Sequence, residues 1–233
     1  MHDALGDRMK RQYEQRARHL LPRRTYTIVR VDGKAFHSFA RHCAKPFDDA
    51  LMAAMDAAAV YLCAHAQGSQ WAFVQSDEIS VLLTDFEKTT TDAWFDGNVQ
   101  KIASISASIA TAGFRHSYPY AYPALFDARC FTIPDPIEVE NYFVWRQQDA
   151  TRNSIQMVAH SLYSHGELHE KNVNEQQEMI FAKGINWNDY PARYKRGRVA
   201  VYRDTAWVIE EPPVFTQDRT YLTALVSRQW AAA

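Results

Sequence analysis

Residues 71–83 read WAFVQSDEISVLL: two short runs of aromatic and branched side chains, Trp71 to Gln75 and Ile79 to Leu83, parted only by Ser76-Asp77-Glu78. Such a pattern predicts a β-hairpin with an acidic tip. Upstream, YTIVRV at Tyr26 to Val31 has the β-branched content of a core strand, and Asp32-Gly33 stops it in a tight turn. Between the two, Phe47, Leu51, Met55, Ala58 and Leu62 recur at helical spacing. Pro46 suits a first turn, and Asp48 and Asp49 suit the positive start of a helix, so a helix is expected from Pro46 to near Gly68. Downstream, Phe95, Val99, Ile102, Ile105 and Ile109 predict one apolar face of a second helix from about Asp92 to Ala112, and FDARCFTI at Phe126 to Ile133 reads as a strand.

The order β-α-β-β-α-β is the split βαβ, or ferredoxin-like, pattern of an α+β protein, with helices covering one face of an antiparallel sheet. A right-handed crossover makes the first and second strands parallel, and the third returns between them, beside the first. The end of the first strand and the tip of the hairpin then share one end of the sheet. Asp32 and Asp77, distant in sequence, become neighbours.

Beyond Pro136 the pattern predicts a helix from Val139 through Trp145-Arg146-Gln147-Gln148-Asp149 to about Leu162, then polar irregular sequence and a basic stretch. The expected organisation is a basic N-terminal arm over residues 1–24, a catalytic core over 25–136, and a C-terminal elaboration over 137–233 packed on that core. A hydrophobic share of 47% with only 8 Gly and 9 Pro indicates a fully folded chain. Lys and Arg number 26 against 27 Asp and Glu, so attraction to a polyanion must be local. Cys43, Cys63 and Cys130 form no CxxC pair, which argues for reduced thiols. The start, MHDALGDRMKRQYEQR, lacks the apolar centre of a signal peptide, and no run approaches membrane-spanning length, so a cytoplasmic protein without membrane association is expected.

Two carboxylates at one sheet end suit Mg²⁺, which prefers hard oxygen ligands and commonly takes one or two carboxylates plus substrate phosphates. Glu78 offers a third acid, and Gly33, without a side chain, allows close approach to the backbone. Asp-Gly and Ser-Asp-Glu are also ordinary turn sequences, so residue types alone leave a purely structural reading open.

Four ordered blocks go further: RVDGKAFHSFARHCAKPFDD (Arg30 to Asp49), QSDEIS (Gln75 to Ser80), FDAR (Phe126 to Arg129) and WRQQDATRNS (Trp145 to Ser154). Together they resemble the tRNA(His) guanylyltransferase superfamily over roughly residues 24 to 200. The resemblance implies a polymerase-type palm working in reverse, adding nucleotides to an RNA 5′ end with two Mg²⁺ ions. It implies that Asp32 and Asp77 bind both metals, that the Gly33 carbonyl binds one, and that Glu78 matches a further catalytic acid. Asp32, Gly33, Lys34, Ala35, Phe36 and His37, with Ser76 and Asp77, match the nucleotide site, and Lys45 and Asn153 match groups holding triphosphates or the activated 5′ end. The implied substrates are tRNA and ATP, GTP or another nucleoside triphosphate, and the implied assembly is a homotetramer.

The family chemistry activates a 5′-monophosphate with ATP or GTP and then lets the 3′-hydroxyl of an incoming nucleotide displace the cap. Eukaryotic members carry HINNLYN after the RQxD block, where this chain has Thr151-Arg152-Asn153-Ser154-Ile155-Gln156-Met157. Only the first asparagine is kept, which points to the guanylyltransferase-like branch that performs templated repair of 5′-truncated tRNA. Addition of a guanylate at the −1 position of tRNA(His) is the alternative. A related palm enzyme such as a nucleotide cyclase, and a non-catalytic tRNA-binding module, are further readings.

In NWNDYPARYKRGR, Arg193, Lys195, Arg196 and Arg198 alternate with Trp187, Tyr190 and Tyr194, a composition suited to phosphate contact and stacking, so the four cations are expected to bind RNA. A helix would place His165 and His169 on one face, but no third ligand has comparable spacing, so a zinc site is not favoured.

Overall fold

A computed structural model describes residues 3–118 and 124–227. Residues 1–2 of the expected arm and 228–233 of the expected C-terminal elaboration lie outside that set. The arm begins with α1 (Ala4–Met9), capped by the Asp3 side chain, and continues through a π turn (Lys10–Glu14) and a 3₁₀ turn (Gln15–Ala17), none of which buries a residue. It joins the body where the Leu21 amide donates to the Gly97 carbonyl at 2.9 Å and the Val99 amide to the His19 carbonyl at 3.0 Å.

The body follows with β1 (Tyr26–Gly33), α2 (Phe36–Phe39), α3 (Asp49–His65), β2 (Ser69–Gln75), β3 (Glu78–Leu83), α4 (Val99–Ser117), β4 (Phe126–Ile133) and α5 (Pro136–Leu162). Then come α6 (His165–Leu168), α7 (Val173–Ala182), α8 (Ala192–Lys195), β5 (Arg198–Arg203), β6 (Ala206–Glu210) and α9 (Arg219–Val226). Among the described residues the strands form one sheet in the order β4-β1-β3-β2-β5-β6, every neighbouring pair antiparallel. The first four strands take the expected order, with β3 between β1 and β2.

Two features differ from the expected palm. The C-terminal segment adds β5 and β6 to the β2 edge, so the sheet runs across the boundary placed at residue 136. Helices also cover both faces rather than one. Val29, Val31, Val74 and Val81 pack with Met55 and Leu62 of α3 and Ile102 and Phe114 of α4. Ile28, Trp71, Phe73 and Leu82, on the opposite pleat, pack with Val139 and Phe143 of α5 and Leu222 of α9. Every residue of β2 and β3 is buried, as sandwiched central strands require.

The helix boundaries also shift for local reasons. Asp48 has extended backbone angles and its carboxylate accepts from the Ala44 and Leu51 amides, so α3 starts at Asp49 and leaves Pro46 outside. Phe47 therefore leaves the helical stripe and stacks on Tyr194, ring centroids 4.7 Å apart. Left-handed angles at Phe95 (φ 51°) and Asp96 (φ 53°) prevent a helix from Asp92; Asn98 caps α4, which runs on to Ser117. Its buried line is Ile102, Ser106, Ala110, Gly113 and Phe114, while Ile105 is exposed. Gly113 explains that small-residue face, since a Cβ there would lie 2.9 Å from the Tyr61 Cβ of α3.

Candidate active site

The antiparallel β1–β3 ladder sets Asp32 opposite Glu78, and the Gly33 amide donates to the Asp77 carbonyl at 3.1 Å. The end of β1 and the β2–β3 turn are thereby joined, bringing Asp32 and Asp77 to one sheet end. The turn is tighter than expected: Gln75 pairs with Glu78, leaving only Ser76-Asp77 at the tip. Ser76 has φ 48° and Ala35, which precedes α2, has φ 54°. Left-handed backbone costs a non-glycine residue roughly 1–2 kcal/mol, so both turns beside the acids hold strain that surrounding contacts must sustain.

Gly33 serves a packing purpose here. A Cβ at this position would lie 2.2 Å from Cδ2 of Phe36, whose ring is buried among Phe39, Phe114 and Phe126. Gly33→Ala is expected to cost about 1–3 kcal/mol and to disturb the following turn, because the Phe36 ring has no free space to enter. Urea unfolding of the variant checks this; an unchanged midpoint would refute the packing argument. Lys34, Ala35 and His37 are exposed, and the Lys34 amide donates to the Leu125 carbonyl at 2.8 Å.

Burial pushes the Asp77 carboxyl up to about 6, and the nearby negative charge of Asp32 adds to the rise. Asp32 is flanked by Arg30 and Arg129, each with an Nη2 at 3.9 Å from its Oδ2. Among the described residues no group of three or more His, Cys, Asp or Glu is arranged to hold a metal. The donors available are two carboxylates and a backbone oxygen, a set that fits Mg²⁺ completed by substrate phosphates. Glu78, expected as a further catalytic acid, is instead taken up inside the protein: Arg146 holds both its oxygens, at 2.8 and 2.6 Å, and Ser80 donates to it at 3.1 Å.

Asn153 lies 3.4 Å from Gln75 and shares with Ser76 an open cleft between the start of α3 and the middle of α5. Asp48, Met52, Met157 and Arg193 also line it. Lys45 is exposed, its Nζ donating to the Ala40 carbonyl at 3.1 Å.

The basic segment departs from expectation. Arg198 is 2% exposed and its Nε meets Asp56 Oδ1 at 2.5 Å; Lys195 is 8% exposed and its Nζ donates to the Asn188 carbonyl at 2.5 Å. Both cations are occupied within the fold, whereas Arg193 and Arg196 are half-buried and keep exposed surface. The partner Asp56 was not recognisable from the sequence because it lies on α3, far from the basic run. His165 begins α6, but His169 has left helical angles (ψ 133°) and Glu170 after it is left-handed (φ 61°), so the helix ends before the two can share a face.

A ferredoxin-like sheet whose first strand and hairpin bring two aspartates to one end has the architecture of a polymerase-type palm, and the family match makes the chain a nucleotidyltransferase. Residues 6–134 match the model of the family described as "Thg1: tRNAHis guanylyltransferase", and the chain belongs to that family. A bacterial tRNA(His) guanylyltransferase (Thg1)-like protein solved in complex with ATP superposes with a TM-score of 0.90 at 44% identity, over 96% of this chain and 99% of that one. A bacterial Thg1-like protein in complex with GTP gives 0.85 at 42% identity, with the same coverages. The tRNA(His) guanylyltransferase of Kluyveromyces lactis is 31% identical over 197 residues, covering 74% of this chain and 81% of the relative. No helix among the described residues is long and apolar enough to cross a membrane.

Proposed function

We propose that this chain adds nucleotides to the 5′ end of tRNA in the 3′-to-5′ direction, copying the opposing 3′ strand and so repairing 5′-truncated molecules. The observation that carries the chemistry is the convergence of Asp32 and Asp77, and the replacement of HINNLYN by TRNSIQM on α5 favours templated addition.

In this reading the 5′-phosphate oxygen attacks the α-phosphorus of ATP or GTP and pyrophosphate leaves. The 3′-hydroxyl of the incoming nucleotide then attacks the capped 5′-phosphate and the nucleoside monophosphate leaves. Asp32, Asp77 and the Gly33 carbonyl would hold the two Mg²⁺ ions, which when bound would supply Lewis-acid stabilisation of charge developing on the phosphate oxygens. The segment Asp32 to His37, with Ser76, orients the triphosphate, while Lys45 and Asn153 contribute donors to phosphate oxygens. Arg193, Arg196 and the exposed arginines of the arm contact the RNA backbone. The family resemblance extends the proposal to a homotetramer.

The test is incorporation of labelled nucleotides, with Mg²⁺, into a tRNA(His) transcript lacking its first one or two 5′ nucleotides. Extension by the nucleotides that the 3′ strand dictates is the expected result. A guanylate added only to full-length tRNA(His), whatever the opposing base, would assign the −1 activity instead.

A further inference from the structure

We propose that Arg146 is a positioning residue for the metal-binding turn, acting through Glu78, an inference that rests on the two-aspartate reading above. Arg146 lies in α5, is 3% exposed, and grips Glu78 with two parallel bonds, Nε to Oε1 at 2.8 Å and Nη2 to Oε2 at 2.6 Å. Its Nη2 also donates to Asp149 at 2.8 Å, and Asp149 is bound in turn by Arg152. The Trp145 ring stacks against the guanidinium at 4.3 Å. On the sheet side, Arg30 Nε stands 3.4 Å from Glu78 Oε2, and the Ser80 hydroxyl bridges Glu78 to the Tyr142 hydroxyl.

Glu78 is joined to Asp77 by one peptide bond and faces Asp32 across the ladder. The orientation of its carboxylate therefore bears on both acids. A buried ion pair is a poor source of net stability compared with apolar residues of similar size, so its specific contribution is geometric. The planar guanidinium fixes the direction of the carboxylate plane, which a lysine at the same place cannot do. Ser76, at the strained tip, needs such over-determination. The same bond locks α5 along its axis, and Asn153, about two helical turns further on, is thereby held beside Gln75 and the turn.

Charge supports the assignment. Arg146 and Arg152 neutralise Glu78 and Asp149 through close bonds, whereas Asp32 meets Arg30 and Arg129 only at 3.9 Å, so Glu78 and Asp32 differ in how freely each can meet a cation. Glu78 thus orients the turn without competing for metal.

The decisive comparison is Mn²⁺ binding, followed by the loss of the free-ion electron paramagnetic resonance signal well below each protein's melting temperature. Wild type, Asp77→Ala, Arg146→Lys and the neutral pair Arg146→Met with Glu78→Gln are compared. The paired variant guards against a misfolded single substitution. Arg146→Lys and the pair are expected to bind Mn²⁺ about 10-fold or more weakly than wild type, within the range that supporting residues exert on metal sites. Single-turnover transfer is expected to fall even at saturating Mg²⁺. Wild-type Mn²⁺ affinity in both variants, with wild-type binding lost in Asp77→Ala, would overturn this proposal alone. Failure of the wild type itself to bind Mn²⁺ would overturn the metal reading, and this proposal with it.

Discussion

Asp77→Ala and Asp32→Ala are each expected to lower nucleotidyl transfer by at least about 1,000-fold while leaving the protein folded. Both acids stand at the sheet end, and Glu78 cannot replace either because Arg146 occupies both its oxygens. Folding makes no comparable demand on the pair. Burial and the charge of Asp32 push the Asp77 carboxyl up to about 6, so at neutral pH, where it is ionised, it costs the metal-free fold stability. Melting in the presence of a chelator should therefore be unchanged or slightly higher for Asp77→Ala, while single-turnover incorporation collapses. Full transfer in either variant would remove that aspartate from the chemistry, whereas unchanged function in cells for Asp77→Ala would favour a non-catalytic tRNA-binding module.

Arg198→Ala is expected to destabilise the protein by about 3–5 kcal/mol, although the residue lies in a segment whose composition suggests RNA contact. The guanidinium is almost fully buried and pairs with Asp56 Oδ1 at 2.5 Å, anchoring the start of β5 to α3. Burial pushes the Asp56 carboxyl up, and Arg198 is the main influence pulling it back. Without it the buried acid keeps only Arg193, whose Nη2 stands 3.8 Å from Oδ2, and must bind a proton or drag in water. Arg193→Ala and Arg196→Ala touch exposed surface, so they should weaken tRNA binding with much smaller shifts in stability. Urea titration and salt-dependent tRNA binding on all three variants separate the two effects. A stable Arg198→Ala with reduced tRNA affinity would mean that the guanidinium does face the nucleic acid.

The contrast between these two predictions marks what could be read along the chain. Asp32 and Asp77 were recognisable because strand ends and turns are written locally, and one handedness rule then brings them together. The buried Arg198 was not, since exposure depends on Asp56 at a sequence separation of 142 residues. Glu78 illustrates the same limit: as the residue after Asp77 it reads as another catalytic acid, and only the Arg146 side chain reaching over from α5 shows both its oxygens already paired. The strand RVAVYR at Arg198–Arg203 was also hidden, because six residues leave little periodicity once a charged composition precedes them. Pro46 and the Asp92–Gly97 segment misled helix placement through backbone angles that side-chain spacing does not encode.

The strand order carries a further consequence. Asp32 is next to last in β1, and Asp77 sits between β2 and β3, strands bonded to neighbours on both sides within the six-stranded sheet. In a protein that breathes by local opening, such interior strands exchange their amides last, whereas the arm, with no buried residue in its helical turns, opens at almost no cost. The two acids can therefore keep their spacing through fluctuations that release and recapture the outer segments, so that accommodating a large RNA need not disturb the centre where bonds are made.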